Sequence, residues 1–185
     1  MDYTVVQDLC LEEVFGDLKG QLGYSFRNRI FLFDREESGC TVIAEDTVGI
    51  GRDKMFCVEN PMRQDVFLLP IDGVLFKKES KCDCAVISKG EIDFIEFKCN
   101  AANKTDAAIY ENYNKASSQL LVTLNEFRER YLSIDKCLDG LAHLECYAVL
   151  NRTVPQNNAM KKSIAAKFLI RSNGVKLKFE NRKKI

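Results

Sequence analysis

The sequence predicts an α/β protein: a single domain over residues 1–185, with a central mixed β-sheet flanked by helices. Three observations carry that prediction. Short apolar runs such as IFLF, CAVIS and DFIEF alternate with longer stretches of helical spacing, so strands and helices intermix along the chain. The two most apolar runs are separated by a lysine–glycine turn, the mark of a hairpin. No internal repeat, low-complexity tract or linker divides the chain.

Taken in order, TVVQDLCLEEVFGDLKGQL places apolar residues at 5, 6, 9, 10 or 11, 14, 15 and 18, which is helical spacing, and Gly20 and Gly23 punctuate it. NRIFLFDR reads as a strand, and GCTVIAEDTVGI as another strand or a strand and turn. From Gly49 to Asn60 the signal is poor, and the G-x-G of VGIGRDK lacks the third glycine of a dinucleotide loop. QDVFLLP is a short strand stopped by Pro70; IDGV is a turn and VLFKK a short strand. KCDCAVIS and IDFIEFKC form the hairpin. NAANKTD offers Asn103 or Thr105 as a helix cap. The strongest helix follows, with Ile109, Tyr113, Ala116, Leu120, Leu124, Phe127 and Tyr131 on one stripe free of glycine and proline. LECYAVLN is a strand, and Pro155 breaks the chain. NNAMKKSIAAKFLIRSNG is a helix ending on Asn173-Gly174, and VKLKFE a final strand.

Composition sets the class. With 46% hydrophobic and 29% charged residues the chain has the make-up of a folded globular domain. No apolar run approaches the roughly 18 residues that span a bilayer, and the acidic N-terminus is unlike a secretory signal, so no membrane role and a cytoplasmic location are expected. Of the eight cysteines most sit in apolar runs, as buried thiols do. A zinc site on Cys82, Cys84 and Cys99 is a weaker alternative, since there is no C-x-x-C pair and only one histidine, His143, which sits at an element boundary without a nucleophilic partner. The net charge of zero hides an asymmetry: residues 151–185 carry many lysines and arginines and one acid, Glu180. Such a region suits a phosphate backbone, and Lys161, Lys162, Lys167 and Arg171 are its candidate contacts.

The hairpin KCDCAVISKGEIDFIEFKCN raises the chemical question, because Asp83, Glu96 and Lys98 stand in strands that are apolar on both faces. Alternation puts Asp83, Ala85 and Ile87 on one face and Cys82, Cys84 and Val86 on the other; Phe94, Glu96 and Lys98 share a face opposite Ile95, Phe97 and Cys99. An unpaired carboxylate there costs several kcal/mol, about 2–7 for a polar group and more for a charge. A salt bridge to Lys98, a divalent cation, or a place at the open end of the sheet would compensate. Mg²⁺ takes oxygen ligands, bridges carboxylates and activates water toward a phosphodiester. The plain alternative is a cross-strand salt bridge at a sheet end.

A strand bearing Asp83, a tight turn, a strand ending in IEFK and a long helix together resemble the PD-(D/E)XK nuclease-like superfamily. The motif covers roughly residues 70–125. The resemblance implies a restriction-endonuclease-like core, with Asp83, Glu96 and the Phe97 backbone carbonyl as metal ligands and Lys98 positioning the attacking water. It implies Mg²⁺ as cofactor, with Mn²⁺ able to substitute. Relatives often add a glutamate from the first helix, for which Glu12 and Glu13 are both candidates, and a glutamine from the helix after the catalytic strand, for which Gln119 stands. Asp72, in the turn just upstream, is a rival first acid, and Cys82 stands where many relatives have proline. The implied activity is hydrolysis of nucleic acid, with DNA favoured, in a bacterial defence or DNA-processing setting, as a homodimer or with a partner protein. The alternative from another class is an inactive nuclease-fold scaffold that binds a protein or nucleic acid.

Overall fold

The computed structural model describes residues 3–35, 40–44, 51, 54–76, 81–99, 105–151 and 157–185. The VGIGRDK segment at 48–54 lies mostly outside them, and Asn103, Pro155 and the end of VLFKK lie outside them altogether. The fold is a mixed α/β arrangement with two mixed sheets rather than the single central sheet expected. Five helices are described: α1 (Thr4–Asp8), α2 (Leu11–Phe15), α3 (Asp106–Leu132), α4 (Leu138–Leu141) and α5 (Asn158–Arg171). The strands are β1 (Gly23–Ser25), β2 (Arg29–Arg35), β3 (Cys40–Ile43), β4 (Phe56–Glu59), β5 (Val66–Pro70), β6 (Cys84–Ser88), β7 (Glu91–Lys98), β8 (His143–Leu150), β9 (Lys176–Lys178) and β10 (Arg182–Lys184). Among these residues no helix is long and apolar enough to cross a membrane.

The larger sheet runs β1-β5-β6-β7-β8-β9. It is antiparallel from β1 to β7 and parallel from β7 to β9. The smaller sheet runs β10-β4-β2-β3, with β10 and β4 parallel. It was not expected because β4 and β10 fall where the sequence signal is weakest: a short FCVE run and a basic tail. The described part of VLFKK, residues 74–76, is not a strand; Asp72 and Phe76 form a single bridge around a turn whose Gly73 has φ +72°.

Alternation along β7 divides the core in two. Ile92 and Phe94 join the cluster under α3 and α5, with Tyr113, Leu120, Phe127 and Phe168. Ile95, Phe97 and Cys99 join the cluster between the sheets, with Ile30, Leu32, Phe56 and Val58 of the smaller sheet. Phe127 is fully buried and meets the Phe94 ring edge-on at 4.9 Å; truncating such a side chain to alanine costs about 3–5 kcal/mol. The expected aromatic stripe of α3 is core at Tyr113, Phe127 and Tyr131, while Tyr110 is exposed.

The predicted N-terminal helix is broken. Cys10 takes φ +55° between α1 and α2. Leu9 and Leu11 are both buried, at 2% and 0% exposure. Two residues on a continuous helix point about 200° apart and cannot share one apolar face, so the kink lets both reach the core. The other long helices follow the sequence closely. Thr105 caps α3 by accepting from Ala108 N at 3.3 Å, and Asn157 caps α5 by accepting from Met160 N at 3.0 Å. α5 closes as expected, with Gly174 N donating to Leu169 O at 2.8 Å.

Candidate functional site

The site forms where the β6–β7 ladder ends. The last backbone pair is Cys84 with Ile95. Asp83 lies in a bend just before β6 rather than within the strand. Its carboxylate Oδ2 accepts from Phe97 N at 2.5 Å, in place of a backbone acceptor. The bend also alters the expected facing: Cys82 enters the helix-side core, while Cys84 faces the smaller sheet. Burial pushes both thiols well up, which disfavours the thiolates a zinc ion needs.

Helix α3 fixes the segment that presents Asp83. Thr123 Oγ1 accepts from Cys82 N at 2.8 Å, and Gln119 Nε2 donates to Lys81 O at 3.0 Å. Gln119 also accepts from Lys98 Nζ at 2.8 Å through Oε1. Gln119 thereby ties the ends of both hairpin strands to α3, and it is 9% exposed rather than a solvated helix position.

Glu96 is 1% exposed. Its Oε1 accepts from Lys98, while its Oε2 is buried with no hydrogen-bond partner among the described residues. Burial and then the nearby Asp83 raise the Glu96 pKa well above its ordinary value, and Lys98 opposes them. Burial lifts Asp83 to about 7; the Phe97 N–H pulls it down, and Asp34 and Asp72 push it up again. A buried acid and a half-buried one therefore stand together, with one lysine paired to the buried one. That is the charge excess a divalent cation relieves.

The donor set fits a hard cation. The orphaned Glu96 oxygen and the Asp83 carboxylate are both anionic oxygens. In a strand a residue's N–H and C=O leave on the same side, so the Phe97 carbonyl points to the side on which its N–H meets Asp83. Against this, among the described residues no three His, Cys, Asp or Glu side chains stand close enough to form a ready cation cage.

Sequence reasoning missed Asp34. On β2, Ile30 and Leu32 face the inter-sheet core, and Asp34 follows at the same parity, pointed at the larger sheet. Its charge is felt at Asp83 and at Cys84. The signal was present in NRIFLFDR, but its use required knowing that a second sheet packs there. Asp72 also stands beside Asp83: its N–H approaches Asp83 O at 3.4 Å. The two acids that seemed rivals are neighbours. The first-helix candidates are not brought in. Glu13 pairs with Lys136 at 2.6 Å, and Glu12 is exposed on the same short helix.

The basic candidates all lie on α5 but not on one stripe. Lys167 and Arg171 share a flank, whereas Lys162 falls about 140° from Lys167 around the axis. Lys161 turns inward, 5.9 Å from the Tyr113 ring and 5.8 Å from that of Phe179, and burial lowers its pKa. Two further basic residues of the tail are structural. Lys178 pairs with Glu145 at 2.6 Å, and Lys183 reaches across from the smaller sheet to Asp93 at 2.6 Å and Glu91 at 2.8 Å. No family model matches this chain, and neither a curated protein nor a solved structure matches it.

Proposed function

We propose that the protein is a metal-dependent nuclease built on a restriction-endonuclease-like core. The observation that carries this reading is the convergence of Asp83, Glu96, Lys98 and Gln119 at one sheet end, with a buried Glu96 oxygen that no donor among the described residues satisfies. Chance placement of D…E-x-K along a chain does not require these four groups to meet.

In this reading Asp83, Glu96 and the Phe97 carbonyl hold Mg²⁺ or Mn²⁺. When bound, the ion supplies charge stabilisation at a phosphoryl oxygen and a more acidic water. Lys98 spends two of its three N–H donors on Glu96 and Gln119 among the described residues, which leaves one for a water or a phosphate oxygen. Gln119 keeps the ammonium in place. Asp34 and Asp72 add negative charge that favours the cation. The substrate is nucleic acid, with DNA favoured, and the working form is a homodimer or a complex with a partner protein.

A second reading has its own observation. Lys98 is already clamped on Glu96, and the described acids form no ready cage; a scaffold that lost catalysis would keep such a pair. Cleavage separates the two. Plasmid, linear and single-stranded DNA and RNA are incubated with Mg²⁺, Mn²⁺ or EDTA. A nuclease cuts at least one substrate with metal and none with EDTA, and Lys98→Ala abolishes the cut; a scaffold cuts none.

A further inference from the structure

The outer face of the smaller sheet has the make-up of a binding surface that neither the motif nor α5 accounts for. Alternation turns Ile30, Leu32, Phe56, Val58 and Lys183 inward. The residues between them turn outward: Arg29, Phe31, Phe33 and Arg35 on β2, Cys57 and Glu59 on β4, Arg182 and Lys184 on β10. The four cations are exposed and the two phenylalanines half-exposed. Register sets them in rows: Phe31 lies opposite Cys57, which lies opposite Arg182, and Arg29 lies opposite Glu59, which lies opposite Lys184. The Arg35 guanidinium sits 6.0 Å from the Phe33 ring centre. A cleft of about 300 Å³ opens on this face, lined by Arg29, Phe31, Glu59 and Arg182 among others.

We infer that this face binds single-stranded nucleic acid, its arginines on the phosphates and Phe31 and Phe33 under adjacent bases. Among the described residues the face holds four cations against one carboxylate, so its field selects a polyanion. The aromatic pair selects further. An acidic peptide has nothing to stack on two neighbouring rings, and a duplex keeps its bases out of reach, whereas an unpaired strand offers both phosphates and flat apolar bases. The same strand carries Asp34 on its opposite side, so β2 links this face to the acidic site. The inference deepens the nuclease reading by naming the form of the substrate; it rests on that reading for its purpose and not for its test.

The test is binding without metal. The full chain in EDTA is titrated into fluorescein-labelled oligo-dT, oligo-U and a duplex, each about 20 units long, and followed by anisotropy at two salt concentrations. The expected result is that at least one single strand binds more tightly than the duplex and weakens as salt rises. Phe33→Ala weakens it about tenfold. Arg182→Gln and Arg29→Gln, at exposed positions with little bearing on folding, weaken it and flatten the salt slope. Lys89→Gln, in the exposed turn between β6 and β7, binds as the wild type does. Absence of binding, tighter binding to the duplex, unchanged binding in Arg182→Gln and Phe33→Ala, or displacement by poly-glutamate as effectively as by unlabelled oligo-dT would each overturn the inference. Because no cleavage occurs in EDTA, a failed nuclease assay leaves this result standing, and the reverse also holds.

Discussion

Lys98 Nζ lies 2.8 Å from Gln119 Oε1, and Gln119 Nε2 lies 3.0 Å from the Lys81 carbonyl, so one amide on α3 holds the end of β7 and the segment that leads into β6. Gln119→Ala removes both bonds, at a cost of about 1–3 kcal/mol in urea denaturation. If the site is a nuclease, kcat falls about 10- to 100-fold with KM little changed, because Lys98 loses its orientation. Unchanged kcat would show that Gln119 only supports the fold.

The Lys98–Glu96 pair sets a second expectation. Lys98→Ala strands the Glu96 carboxylate in a dry site and destabilises the metal-free protein by about 3–5 kcal/mol near neutral pH. Glu96→Gln combined with Lys98→Met removes both charges and costs less than the sum of the single changes, with a coupling of about 1–3 kcal/mol in a double-mutant cycle. Additive effects would contradict the buried pairing.

Stability should peak at unusually low pH. Asp83 is raised to about 7 and Asp93 to about 6, in both cases first by burial. A carboxyl with a folded pKa above its unfolded one binds its proton more tightly when folded. Its contribution is fullest below the ordinary value of 3.8 and is lost as pH rises through 6 and 7. Glu145 acts oppositely: burial raises it, but Lys178 and Tyr147 outweigh that and bring it to about 2, so its contribution fades as pH falls from 4.5 toward 2. Melting curves should therefore peak at about pH 4, where the two effects cancel, and decline toward pH 7.5, with Asp83→Asn removing part of the decline. A Tm that rises over that interval would refute the burial argument.

Lys183 pins the smaller sheet to the larger one. Its ammonium reaches Asp93, which has no exposed surface, across the inter-sheet core. Lys183→Met leaves that carboxylate unpaired and destabilises the protein by about 3–5 kcal/mol; adding Asp93→Asn recovers part of the loss. Equal stability of Lys183→Met and the wild type in chemical denaturation would contradict this role.

The sequence made the hairpin and the two long helices legible because each rests on local chemistry: period-two alternation, a lysine–glycine turn, Thr105 as a cap of α3, Asn173-Gly174 as a stop of α5. The second sheet was not legible. β4 and β10 are four and three residues long, and one of them is a run of Arg182, Lys183 and Lys184 whose middle residue alone is buried. Such strands are specified by their partners and not by their own pattern. The same gap hid Asp34, because only tertiary packing brings β2 to the end of β6. Asp83, Glu96 and Lys98 stood out as charges in apolar strands and Gln119 was named only through the family resemblance, but the orphaned oxygen of Glu96 could be seen only in three dimensions.

The most direct test of the central claim is titration of the purified protein with Mn²⁺, followed by isothermal calorimetry and by the electron paramagnetic resonance signal of the free ion. The account predicts a site that takes up Mn²⁺ in the wild type, is competed by Mg²⁺, loses affinity in Glu96→Gln and Asp83→Asn, and gains it in Lys98→Ala because the competing ammonium is gone. Failure of the wild type to take up Mn²⁺, or uptake that Glu96→Gln leaves unchanged, would contradict it.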